Sequence, residues 1–93
     1  MEKIQSFKQL KIWQNGIQIV KKIYKVTRSF PKEEFYGLTA QMRKAAVSIP
    51  SNISEGFKRF HPKEYKHFLY ITLGSLAELE TQLIISFELL TFH

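Results

Sequence analysis

The stretch AAVSIPSNISEG, residues 45–56, sets a proline in the middle of a run that otherwise reads as helix. Whether Pro50 ends that helix or lies inside it fixes the architecture. Phe35, Leu38, Met42 and Ala45 follow one another at three, four and three, and Ile49, Ile53 and Phe57 then continue at fours across Pro50. Side chains three and four apart share a helix face. The register passes through Pro50 unbroken, where a loop would scramble it. The spacing therefore predicts one helix over about 32–56, bent at Pro50, with Gly56 suited to a left-handed C-terminal cap. The competing reading is a helix that ends near Ile49, followed by a loop through Ser54. Pro50 has no N–H for the Ala46 carbonyl and its ring crowds that group, at ~3 kcal/mol or more in an ordinary helix. Ala45, Ala46, Ser48 and Ser51 are small enough to allow close backbone approach, and a serine hydroxyl there can serve nearby backbone groups.

The flanking segments read as two further helices. Residues 7–28 place Phe7, Leu10, Trp13, Ile17, Val20 and Tyr24 on one face, widened by Ile12, Ile19, Ile23 and Val26. Ser6 with Gln9 three residues on makes a capping box. Gly16 is only a local weakness, since glycine costs ~1 kcal/mol against alanine inside a helix. Pro31, Glu33 and Glu34 suit the first turn of the second helix. Residues 62–91 start on another proline and carry Tyr65, Leu69, Leu73, Leu76, Leu79, Leu83, Phe87 and Leu90 at threes and fours. Gly74 and Ser75 make one small notch. The pattern predicts a single all-α domain over residues 1–93, an antiparallel up-down bundle of three long helices. The stripe Leu76, Leu79, Leu83, Phe87 and Leu90 is left as a packing or oligomer seam, because a chain this small cannot leave it wet.

Composition narrows the function. The 93 residues include no cysteine and no aspartate, which removes disulfides, thiolate metal sites, a cysteine nucleophile and a Ser-His-Asp triad. MEKIQSFKQL lacks the apolar core of a secretory signal, and no stretch is read as long and apolar enough to span a bilayer; the expectation is a cytoplasmic protein without a membrane partner. Glu64 and His67 have the Glu-x-x-His spacing of di-metal bundles, but those sites need the motif twice and it occurs once. Asn52-Ile53-Ser54 matches a glycosylation acceptor only by chance in that setting. The chain is read as a non-enzyme with no cofactor.

Charge is the remaining signal. The net charge is +6, and residues 1–30 hold seven Lys or Arg against Glu2 alone, while from His67 onward the only charges are Glu78, Glu80 and Glu88. Lys8, Lys11, Lys21, Lys22, Lys25 and Arg28 therefore form a basic face with no acid among them, a candidate surface for RNA or DNA phosphates. A solvated face that only keeps a structural scaffold soluble is the alternative. Trp13 and Tyr24 are read as core.

Three stretches, FKQLKIWQNGIQIVKKIYKVTRSFP, EEFYGLTAQMRKAAVSIPSNISEGFKR and YKHFLYITLGSLAELETQLIIS, resemble the four-helix-bundle proteins encoded in intervening sequences of bacterial 23S ribosomal RNA genes. The accessory protein of diversity-generating retroelements is similar to these. SIPSNISEG and GSLAELETQL carry the resemblance, with Ser54 where the family usually has alanine. It implies a four-helix fold, a homopentameric ring, no catalysis and, for the retroelement member, binding to nucleic acid and a reverse transcriptase through a basic surface. The family's fourth helix would follow Phe92, and the sequence ends at His93.

Overall fold

A computed structural model describes residues 3–90 as helices and short turns, with no strand among them. The three long helices are α1 (Lys11–Thr27), α2 (Ala40–Lys58) and α3 (Pro62–Leu89). Proline does not end α2, which runs through Pro50 without a break. The hydroxyls of Ser48 and Ser51 donate to the carbonyls of Ala45 and Val47 at 2.6 and 2.7 Å, on either side of Ala46, and the Asn52 amide donates to Ser48 at 2.7 Å. Small polar residues thus hold the backbone around the position where one helical bond is missing.

The pattern of residues placed the starts of the first two helices too simply. The Ser6–Gln9 capping box forms, but it caps a single 3₁₀ turn, Phe7–Gln9, and Leu10 is extended before α1 begins at Lys11. The Gln14 amide donates to the Lys8 carbonyl at 2.8 Å and ties the turn down. The second segment likewise does not enter α2 directly. A 3₁₀ turn, Lys32–Glu34, leads into a π turn, Phe35–Thr39, broken at Gly37 (φ −103°, ψ −108°). The Glu34 carboxylate accepts from the Leu38 N–H at 3.3 Å across that break. At its far end α2 continues to Lys58, and Gly56 is an ordinary helical residue. Phe60 is the residue in the left-handed region (φ 57°), so the aromatic, and not the glycine, makes the turn into α3. Thr91, the expected last residue of the third helix, lies outside the described residues.

Packing explains the two glycines. Gly16 is buried against α2, where a Cβ would meet Pro50 Cβ at 3.3 Å and Ile49 Cγ2 at 3.4 Å. Gly56 is buried against α3, where a Cβ would stand 2.7 Å from Phe68 Cβ. Contacts climb α1 as they descend α2, from Gly16–Pro50 to Thr27–Arg43, and climb α3 in the same sense, from Gly56–Phe68 to Met42–Ser86. Helix α2 is central and supplies Met42, Ala45, Ala46, Ile49 and Ile53 to a core completed by Ile23 and Leu79.

Helix α3 is turned differently from its leucine pattern. The residues it buries are Thr72, Leu79, Gln82 and Ser86, about 60° around the helix from the centre of the leucine stripe. Thr72 and Ser86 donate to carbonyls one turn back, and Ser86 reaches the Met42 sulfur at 3.4 Å. Leucine is left outside: Leu73, Leu83, Ile84, Phe87 and Leu89 are exposed. Contrary to the sequence expectation, α3 is long and apolar enough to cross a membrane by length and composition, with mean hydropathy 1.3 over its best window, of which 17% is buried. The reason is its charge distribution, since only Glu78, Glu80 and Glu88 interrupt the run after His67.

The same substitution should therefore have opposite signs at two glycines. Gly56→Ala forces a methyl into Phe68 and should cost about 1–2 kcal/mol after its propensity gain of ~1 kcal/mol. Gly74 has nothing within 4 Å of its would-be Cβ, so Gly74→Ala should add roughly 0.5–1 kcal/mol. Urea denaturation of the two variants reads both.

Candidate nucleic-acid interface

Helix α1 is amphipathic by spacing. Its buried line is Gly16, Ile23 and Thr27; Ile19, Val20 and Trp13 are half-buried on the flanks. That orientation sends the polar residues outward. All six sequence-predicted cations, Lys8, Lys11, Lys21, Lys22, Lys25 and Arg28, are exposed. Lys8 stands on the 3₁₀ turn and the others on α1 or its C-cap. Lys25 and Arg28 also lie at the C-terminal end of α1, where cations complement the helix dipole. Lys8, Lys11, Lys21 and Lys22 have no such local role.

The carboxylates that might have neutralised this face are elsewhere. Among the described residues the ion pairs all involve Arg59, which meets Glu55 at 3.1 Å and Glu64 at 3.9 Å around the turn between α2 and α3. The Arg59 guanidinium also lies 5.2 Å from the Phe68 ring. Glu34 is engaged with the Leu38 N–H, and Glu78 accepts from the Gln82 amide at 3.3 Å. None of the six α1-side cations is paired within the described residues.

Of the two aromatics read as core, Trp13 packs against the core and Tyr24 does not. Trp13 is half-buried, edge-on to Phe7 at 5.3 Å between ring centroids. Tyr24 is not core: it is exposed, and the Arg43 guanidinium sits 4.5 Å from its ring centre. Arg43 is held there by the Thr27 hydroxyl, which accepts from Nε at 2.9 Å while donating to the Ile23 carbonyl at 2.7 Å. Residue patterning missed this arginine, because nothing local connects residue 43 to residues 24 and 27. Its only sequence signal was a cation on the flank of an apolar helix face.

The seam residues divide. Leu79 is in the core, Leu76 and Leu90 are half-buried, and Leu83 and Phe87 are exposed, Phe87 at 86%. Leu76 also lines a groove of about 430 Å³ between α1 and α3, floored by Ile49 and Ile53 of α2. Its α1 wall is Ile12 and Ile19, and its α3 wall includes Leu69 and Leu73. Glu64 pairs with Arg59 and His67 lies edge-on to Phe68. Among the described residues no three His, Cys, Asp or Glu side chains gather to hold a metal.

The model of the 23S rRNA-intervening sequence protein family matches residues 8–92. The chain belongs to that family. A comparison with curated proteins finds no match. For this member of the 23S rRNA-intervening sequence proteins, the matched region contains the basic face, the proline-containing helix and the apolar third helix together.

The Thr27–Arg43 contact can be tested directly. Thr27→Val keeps the shape but removes the acceptor for a half-buried guanidinium, and should cost about 1–2 kcal/mol. Thr27→Ser should recover most of that loss, with both read by thermal or urea unfolding.

Proposed function

We propose that this protein is a non-enzymatic, oligomeric helical bundle that binds RNA or DNA through the basic face of α1. The observation that carries the reading is the row Lys8, Lys11, Lys21, Lys22, Lys25 and Arg28, none of them in an ion pair among the described residues, where the ion pairs are those of Arg59 with Glu55 and Glu64. Membership in a family described by 23S rRNA-intervening sequences is in keeping with a nucleic-acid setting. In this reading the protein acts in the cytoplasm as an accessory to a nucleic-acid enzyme such as a reverse transcriptase, and no cofactor takes part. Phosphate contacts release counterions, so affinity for a generic single-stranded RNA should fall with salt at a log–log slope near −0.7 per phosphate engaged. Exchanging Lys11, Lys22 and Lys25 for Gln should flatten that slope by about 2 and leave stability within ~0.5 kcal/mol. No binding of the unaltered protein at low salt would refute the reading and leave a structural scaffold.

The proposed architecture is an antiparallel up-down bundle whose fourth position, the groove between α1 and α3, is covered by another copy of the chain. The order of contacts along the helices supports the topology. The surface supports association: the chain exposes 7166 Å², against about 5,600 Å² for a compact monomer of its 11.0 kDa. Each exposed Leu, Ile or Phe on α3 is worth roughly 1.5–3 kcal/mol once buried. A closed homo-oligomer removes that exposure, and the pentamer implied by the family resemblance is the number proposed. Sedimentation at micromolar protein should give a mass well above that of one chain. A monomer with concentration-independent unfolding would refute it.

A further inference from the structure

At the corner where α1 turns towards α2, a recess of about 450 Å³ opens between Thr27 and Arg43. Its size falls in the ~300–1,000 Å³ range of small-molecule sites. Three cations line it, Arg28, Lys32 and Arg43, together with the rings of Phe35 and Tyr36. No carboxylate lines it: Glu33 and Glu34 stand outside, and Glu34 is occupied by the Leu38 N–H. Among the described residues none of the three cations has an ion-pair partner.

Two features point to a ligand beyond the charge count. Arg43 is half-buried, and the partners that position it are neutral, the Thr27 hydroxyl at Nε and the Tyr24 ring beneath its plane. A guanidinium partly withdrawn from water is favoured by an anionic partner, and among the described residues this one has no carboxylate within ion-pair distance. Beside it, Tyr36 is 91% exposed and Phe35 54% exposed, stacked edge to face at 4.9 Å with an interplanar angle of 87°. That places an aromatic face in water next to a cation cluster. Lys21, Lys25 and Arg28, spaced by four and three along one edge of α1, run from the basic face into this recess.

We propose that the recess receives one unpaired nucleotide of single-stranded RNA or DNA. Its phosphate meets Arg28, Lys32 and Arg43, and its base lies against Tyr36, with Phe35 bracing that ring. This rests on the nucleic-acid reading above and adds a preference that phosphate contacts alone do not create. Stacking needs an exposed base face, which a duplex does not offer. The corner therefore makes the protein favour single strands, while the lysines of α1 engage either form.

The test uses full-length protein and fluorescence anisotropy with labelled 12-nucleotide oligoadenylate RNA, the same oligomer as DNA, and a 12-base-pair RNA duplex. Tyr36→Ala should weaken single-strand binding by about tenfold, the scale of one lost base stack, and leave duplex binding within about twofold. Tyr36→Phe should retain single-strand affinity, and matching circular dichroism spectra show that the fold is kept. The RNA and DNA arms show which sugar the corner accepts. The proposal is overturned if Tyr36→Ala leaves single-strand affinity unchanged, if it weakens single strand and duplex equally, or if Tyr36→Phe behaves like Ala. When the unaltered protein binds all probes with a steep salt slope in those cases, the basic-face reading survives and the corner site alone falls. When it binds none, both fall.

Discussion

The close approach of Gly16 to Pro50 is the constraint on which the rest of the fold depends. A proline inside a helix lacks a donor and carries a ring that usually makes the helix unfavourable. Here the ring is buried and faces a residue without a side chain, so the position that weakens α2 internally becomes the place where α1 comes nearest. Gly56 repeats the arrangement on α3, against Phe68. The central helix is thus fitted to each neighbour at a glycine, one on α1 and one on α2 itself. With α2 held between them, α1 and α3 become the walls of a groove, and the outward directions of all three helices follow.

Those directions segregate the surface. Rotating α3 to put Thr72, Gln82 and Ser86 against α2 uses small or hydrogen-bonding side chains where the backbones lie close, and it leaves the larger Leu, Ile and Phe side chains outside. The choice is not free of cost, since the buried side-chain oxygen of Gln82, Oε1, finds no donor among the described residues. Cores of tightly spaced helices tolerate small side chains better than large ones. A 52 × 22 × 18 Å molecule, with seven core hydrophobic residues among those described, is the result, too slender to bury its own apolar content.

Much of the fold was legible in the residues because periodicity survives Pro50: Ile49 and Ile53 stay in register and both are buried. The helix starts were not legible. The start signals at Ser6 and Pro31 are real, yet each opens a single 3₁₀ turn, and the difference between that and an α-helix lies in the extended Leu10 and the irregular Gly37. The buried face of α3 was hidden for another reason. A helix apolar nearly all round has no contrast from which to choose a face, so packing at Gly56 chose it. Of the candidate interface, the α1 lysines could be read because no acid accompanies them. The corner recess could not, since Pro31 and Gly37 break the periodicity that would relate Arg28, Lys32, Tyr36 and Arg43.

Charge and apolar surface lie on different helices, and this separation links the two proposed activities. In the proposed assembly, α3 and the groove turn inward while α1 keeps its lysines in solvent. Every added copy then brings a net charge of +6 to the same particle. Self-repulsion of that kind opposes association at low ionic strength, and a bound polyanion relieves it. A nucleic-acid strand long enough to touch several copies also converts each later contact into an intramolecular one. Binding and assembly therefore favour each other by mass action. In this proposal the apolar face supplies the adhesion by itself, and a phosphate backbone on the basic face strengthens it.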